Sequence, residues 1–161
     1  MQSNRRLPAL RAVVLAAACA AFVPAALAAG PLAVAHPSAF NWTEAPPGLP
    51  PGGKVAMLHG DPARPGPFVL RVRVPVGYKV PLHWHSKDES LTVLSGTLEL
   101  TTRDGGSHVQ VVERGGFHHV PANVRHVAYA RTPTEFQVHG DGPLDIQYVD
   151  PRDDPRGMAK H

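Results

Sequence analysis

Residues 77–96 open on Gly77, run through Val80-Pro81-Leu82-His83-Trp84-His85-Ser86-Lys87-Asp88-Glu89 and close on Gly96. Two imidazoles at i and i+2 sit among β-formers. On an extended strand, residues two apart share a face, so His83 and His85 can bring two nitrogens to one metal ion. Glu89 follows four residues later, past Ser86-Lys87-Asp88, and a short turn there can return its carboxylate to the same face. His126 belongs to a later strand, after the turn residues Pro121-Ala122-Asn123. Three imidazoles and one carboxylate suit Fe, Mn, Ni, Cu or Zn, and are poor for Ca or Mg alone. Four protein ligands on an octahedral ion leave two positions open.

Outward from that stretch the chain alternates. Phe68, Leu70, Val72 and Val74 fall on one face and Arg71 and Arg73 on the other, the period of a half-buried strand. Similar short runs follow at 78–85, 90–94, 97–102, 108–113, 117–120, 125–130, 135–138 and 144–149. Turn residues separate them: Gly96, Asp104-Gly105-Gly106, Pro121-Ala122-Asn123 and Asp141-Gly142-Pro143. Eight or so strands without a convincing helix predict a sandwich, barrel or jelly roll. Composition agrees, because 18 Pro, 15 Gly and 6% aromatics favour short strands over a helix bundle. A 43% apolar fraction rules out a fully disordered chain, and 161 residues suit one domain with a short appendage.

These residues carry a family resemblance. Gly77-x5-His83-x-His85-x3-Glu89-x6-Gly96 resembles the first motif of the cupin superfamily at every defined position. The second motif, Gly-x5-Pro-x-Gly-x2-His-x3-Asn, is met by Gly115, Pro121 and His126. Asn123 stands at its inner glycine and Ala130 at its final asparagine. Asn tolerates the left-handed turn that glycine supplies, and Ala130 is not at a ligand position. Over about 67–149 the chain is similar to a small secreted single-domain bacterial cupin of the type-2 kind. The resemblance implies an all-β, single-domain cupin jelly-roll β-barrel, here residues 67–150. It also makes a homodimer plausible.

The flanks read differently. Arg5, Arg6 and Arg11, a 12-residue apolar run from Ala12 to Val23, and Ala26-Leu27-Ala28 form a secretory signal over residues 1–28. The run is short of the ~20 residues that span a bilayer, so no stable membrane span is expected. The expected location is periplasmic or secreted. Arg5-Arg6 leaves twin-arginine export open beside the general route. Residues 29–66 are a Pro/Gly-rich arm, with Phe40-Asn41-Trp42 and 55–58 as candidate edge strands. The arm is also a candidate for swapping onto a neighbouring copy. Residues 151–161 read as a flexible tail. The only cysteine, Cys19, leaves with the signal, so disulfides and thiol chemistry drop out. The basic balance of 16 Lys+Arg against 13 Asp+Glu also resides there. Without Arg5, Arg6 and Arg11 the chain is neutral, which removes the case for nucleic acid. Gly48-x4-Gly53-Lys54 is not a phosphate loop, since Val55 replaces the Mg-binding hydroxyl and no helix follows.

The expected function is a mononuclear metal-dependent enzyme of oxygenase type acting on a small molecule, with an isomerase less favoured. His83, His85, Glu89 and His126 are the expected ligands of one divalent transition metal, and Glu89 doubles as the candidate base. The alternative is a non-catalytic module that binds a small molecule or the metal. Gln137 and His139 share one strand face; if it lines the barrel, they are second-sphere donors or contact the ligand, and otherwise His139 is a rim residue. His118 and His119 are adjacent, so only one faces inward, and parity with Phe117 does not say which. Other candidates for a non-ligating acid or base are Glu99 and Glu135.

Overall fold

The computed structural model describes residues 34–103 and 105–158. The export signal read over 1–28 lies outside them. Eleven strands are described: β1 (Thr43–Glu44), β2 (Lys54–His59), β3 (Gly66–Val74), β4 (Lys79–Trp84), β5 (Glu89–Ser95), β6 (Thr97–Thr102), β7 (His108–Glu113), β8 (Phe117–Val120), β9 (His126–Ala130), β10 (Thr134–Gly142) and β11 (Gln147–Tyr148). They form two antiparallel sheets, one ordered β1-β2-β3-β10-β5-β8 and the other β11-β4-β9-β6-β7. This is the jelly roll that the alternation and the resemblance predict.

β3 shows how the sequence makes the layers. Phe68, Leu70, Val72 and Val74 are buried while Arg71 and Arg73 face outward. The inner face joins Leu91, Val93, Leu98, Val112, Ala130 and Val138 in one core between the sheets. Each such side chain contributes about 1.5–3 kcal/mol on leaving water. The chain changes sheet between β5 and β6 across Gly96 alone, at φ +80°. A Cβ there would lie 2.3 Å from the Pro133 carbonyl oxygen, so only glycine fits the corner.

The arm adds β1 and β2 to the edge of the first sheet, against β3. The expected edge strand at Phe40-Asn41-Trp42 is displaced to Thr43–Glu44. Phe40 and Trp42 instead cover the outward guanidinium groups of Arg71 and Arg73, at 5.2 and 4.0 Å. Those arginines also bond Glu135. Burial alone would raise the Glu135 pKa; hydrogen bonds from Arg73 and Arg71 outweigh it and hold the carboxyl below its usual range.

Three local readings change. Asp141 and Gly142, read as turn residues, continue β10 as far as Gly66 on β3. The strand expected over 144–149 shrinks to two residues, because the Asp145 side chain bonds the Ser86 amide and hydroxyl instead of letting its segment join a ladder. The segment read as a loose tail forms a 3-10 turn, Pro151–Asp153, and a helical turn, α1 (Pro155–Met158). Asp150 accepts a bond from the Arg152 amide, and Arg156 reaches the Ile146 carbonyl. Among the described residues no helix is long and apolar enough to cross a membrane.

Candidate metal centre and its cavity

β4 carries His83 and ends just before His85; β9 opens on His126, which pairs directly with His83. The alternation of β4 turns both of its histidines inward. A turn over Pro121–Val124 sets up His126, with Asn123 at φ 67° in the left-handed conformation that glycine normally takes. The Asn123 amide donates to the His85 carbonyl at 2.8 Å, so this turn also fixes the strand that carries His85. All three rings are buried, with centroids 4.1 to 5.4 Å apart.

Each ring is oriented the same way. His83 Nδ1 donates to the Pro81 carbonyl at 2.6 Å, His126 Nδ1 to the Val124 carbonyl at 3.1 Å, and His85 Nδ1 to the Asp145 carbonyl. A carbonyl can only accept, so a proton sits on Nδ1, and in the neutral ring Nε2 is then the nitrogen with the free lone pair. One ligand atom from each histidine lies within 4.8 Å of the others. His85 Nε2 is buried without a hydrogen-bond partner.

Glu89 does not return to the β4 face. It opens β5 in the facing sheet, and its Oε2 lies 3.9 Å from His85 Nε2 and 3.8 Å from His126 Nε2. Carboxylate and lone-pair nitrogens are all acceptors, so a cation between them satisfies the set. Ligands each about 2.0–2.2 Å from one ion stand up to about 4.4 Å apart. The residues therefore fit a divalent metal. Burial and, after it, the neighbouring His126 and His85 lower the His83 pKa, against the opposing Pro81 carbonyl, to about 2. A neutral imidazole is the form that binds metal.

The cluster lines a cavity of about 610 Å³ between the sheets. Leu70, Val72, Phe136, Val138 and Leu144 supply much of its wall. Pro46, Pro47, Gly48 and Leu49 from the arm line it too, forming a strap. Tyr78 donates to the Pro50 carbonyl at 2.6 Å and Tyr148 to the Gly48 carbonyl at 2.9 Å. Burial pushes the Tyr78 phenol up to about 12 and that of Tyr148 up as well, so both remain donors.

Gln137 and His139 are not part of this lining. Phe136 and Val138 take the inner face of β10, which sends Gln137 outward to Arg71 and His139 outward onto Phe117. Glu99 and Glu135 also point outward, to Arg131 and to Arg71 and Arg73. His118 is the member of the histidine pair that faces inward, while His119 contacts Ser90 and Asp88. Burial lowers the His118 pKa; Glu89 opposes this, and His126 and His119 add to it. The signal for His118 lay in Val120, two residues on and beside the turn, but Phe117 obscured it by being apolar and outward.

A family model described as a cupin domain matches residues 70–145. Among solved structures, the polyketide cyclase RemF from Streptomyces resistomycificus is similar at 18% identity and a TM-score of 0.64, over 81% of this chain and 94% of that one. An RmlC-like cupin from Shewanella frigidimarina is similar at 16% identity and a TM-score of 0.55, over 66% and 87%. A mutant of oxalate decarboxylase from Bacillus subtilis is similar at 22% identity and a TM-score of 0.55, over 70% of this chain but 31% of that enzyme. Another structure of that decarboxylase concerns its Mn(II) centres. No curated protein matches the chain. At these identities the likeness establishes the fold. The barrel that holds the three histidines has the cupin fold, and residues 70–145 of the chain match a cupin domain.

Proposed function

We propose that this is a metal-dependent cupin acting outside the cytoplasm on a small molecule, with His83, His85, Glu89 and His126 holding one divalent transition metal and chemistry of oxygenase type. The observation that carries this reading is a shared ring orientation: three converging histidines are each tied by Nδ1 to a backbone carbonyl, and two of them, His85 and His126, present Nε2 to the Glu89 carboxylate. A bound transition metal supplies Lewis acidity there and, for iron or manganese, one-electron chemistry. The chain supplies the rest. The carbonyls hold the rings, the apolar wall excludes bulk water, and Glu89, on shifting off the metal, is the base for a molecule in the cavity.

Metal analysis of the mature protein after reconstitution tests the site. About one equivalent is expected, and less than about a tenth defeats the reading. Oxygen uptake by the Fe- or Mn-loaded protein with phenolic and β-dicarbonyl compounds tests the chemistry. The binding-module reading gains from Glu99 and Glu135 both being spent on outward ion pairs. Uptake of metal without oxygen consumption by any compound favours it.

A further inference from the structure

His118 is buried to 7% exposure, and neither of its ring nitrogens has a hydrogen-bond partner among the described residues. It lies on β8 opposite Leu91, on the inner face that Glu89 shares, and it lines the cavity. It is not one of the three histidines whose ligand atoms converge. A buried polar group without a partner costs about 1–3 kcal/mol, and a leucine here would avoid that cost. The fold therefore carries a donor and an acceptor without a partner, on a side chain that lines a chamber whose wall is mostly apolar.

The rest of the lining restricts what could meet it. Among the described residues no lysine lines the cavity, and the one arginine that does, Arg156, is bonded to Asp154 and the Ile146 carbonyl. A small dianion would find no free cationic side chain, whereas an apolar body would fill the space. Resting on the metal site proposed above, we propose that His118 is the hydrogen-bonding anchor for a neutral, largely apolar ligand bearing at least two oxygens, one directed to the metal and one to His118. His118 thus selects for the second oxygen.

The test is calorimetric titration of the zinc-loaded protein, which binds without redox turnover, with 2-naphthol, a series of dihydroxynaphthalenes and oxalate. In the wild type the best dihydroxynaphthalene should bind about tenfold tighter than 2-naphthol, the size of one net hydrogen bond. Oxalate should bind more weakly than either. His118→Leu should abolish the tenfold ratio while leaving metal content and 2-naphthol affinity within about twofold of wild type. His118→Gln should restore part of the ratio. The His118→Leu melting temperature should stay level or rise, because an orphaned polar group has gone; a merely structural histidine would lower it. A ratio unchanged in His118→Leu, loss of metal from that variant, or no binding of any naphthol to the wild type overturns the proposal. Failure of wild-type zinc uptake defeats the metal reading instead. The anchor is then tested by the same titrations on the metal-free protein, with the same outcomes.

Discussion

At the scale of single residues, the site depends on protons being in the right place. His83 is held neutral, with a pKa near 2 against 6.5 in an unfolded chain. Between those values the unfolded chain binds a proton that the folded one refuses. Stability is therefore full above pH 6.5 and is lost as the pH falls below it. For one such group the slope is about 1.4 kcal/mol per pH unit. Thermal melts of the metal-free protein from pH 7.5 to 5 should show a falling midpoint; a flat profile would mean the ring is not buried neutral. Asn123 is the second residue to test. Its φ of 67° suits Asn and Gly, so Asn123→Gly should be near neutral, while Asn123→Val should cost about 1–2 kcal/mol in denaturant unfolding. The Val variant should also loosen His85, whose carbonyl accepts the Asn123 amide.

The histidine cluster was legible because chemistry and period coincide in it: His83 and His85 occupy alternate positions of an extended segment whose inner face lines the cavity. His118 was not legible, because β8 inverts the usual order. Phe117 is 57% exposed and His118 is buried, so hydropathy points the wrong way along this strand. Gln137 and His139 show the opposite case. There the apolar residues do face inward, and the polar pair sits outside.

At the scale of elements, two connections invite a direct test. Gly96 is one. Gly96→Ala would place a methyl group against the Pro133 carbonyl and force a left-handed alanine, so a loss of more than about 2 kcal/mol is expected by chemical denaturation. The strap is the other. Composition marked 46–53 as irregular, but nothing in that stretch says where it lies, because its anchors are phenols elsewhere in the chain, Tyr78 and Tyr148. Tyr148→Phe should cost about 1 kcal/mol in thermal unfolding. Tyr78→Phe in the same background should cost as much again if the two bonds hold the strap independently. The jelly roll itself was readable from alternation and turn residues. The short β11 was not, since Asp145 gives its carbonyl to a site imidazole rather than to a neighbouring strand.

At the scale of the whole molecule, the candidate ligands are divided unequally between the two layers. Three come from the five-stranded sheet and its edge, and Glu89 alone comes from the six-stranded one. An ion coordinated by all four is then a cross-link that joins strands far apart in sequence without any covalent bond. Amide hydrogen exchange offers a direct reading of that linkage. Loading the metal should slow exchange in β5 together with β4 and β9, whereas in Glu89→Gln loading should protect β4 and β9 but leave β5 at its metal-free rate. Protection confined to the histidine strands in the unaltered protein would show that the two layers open independently.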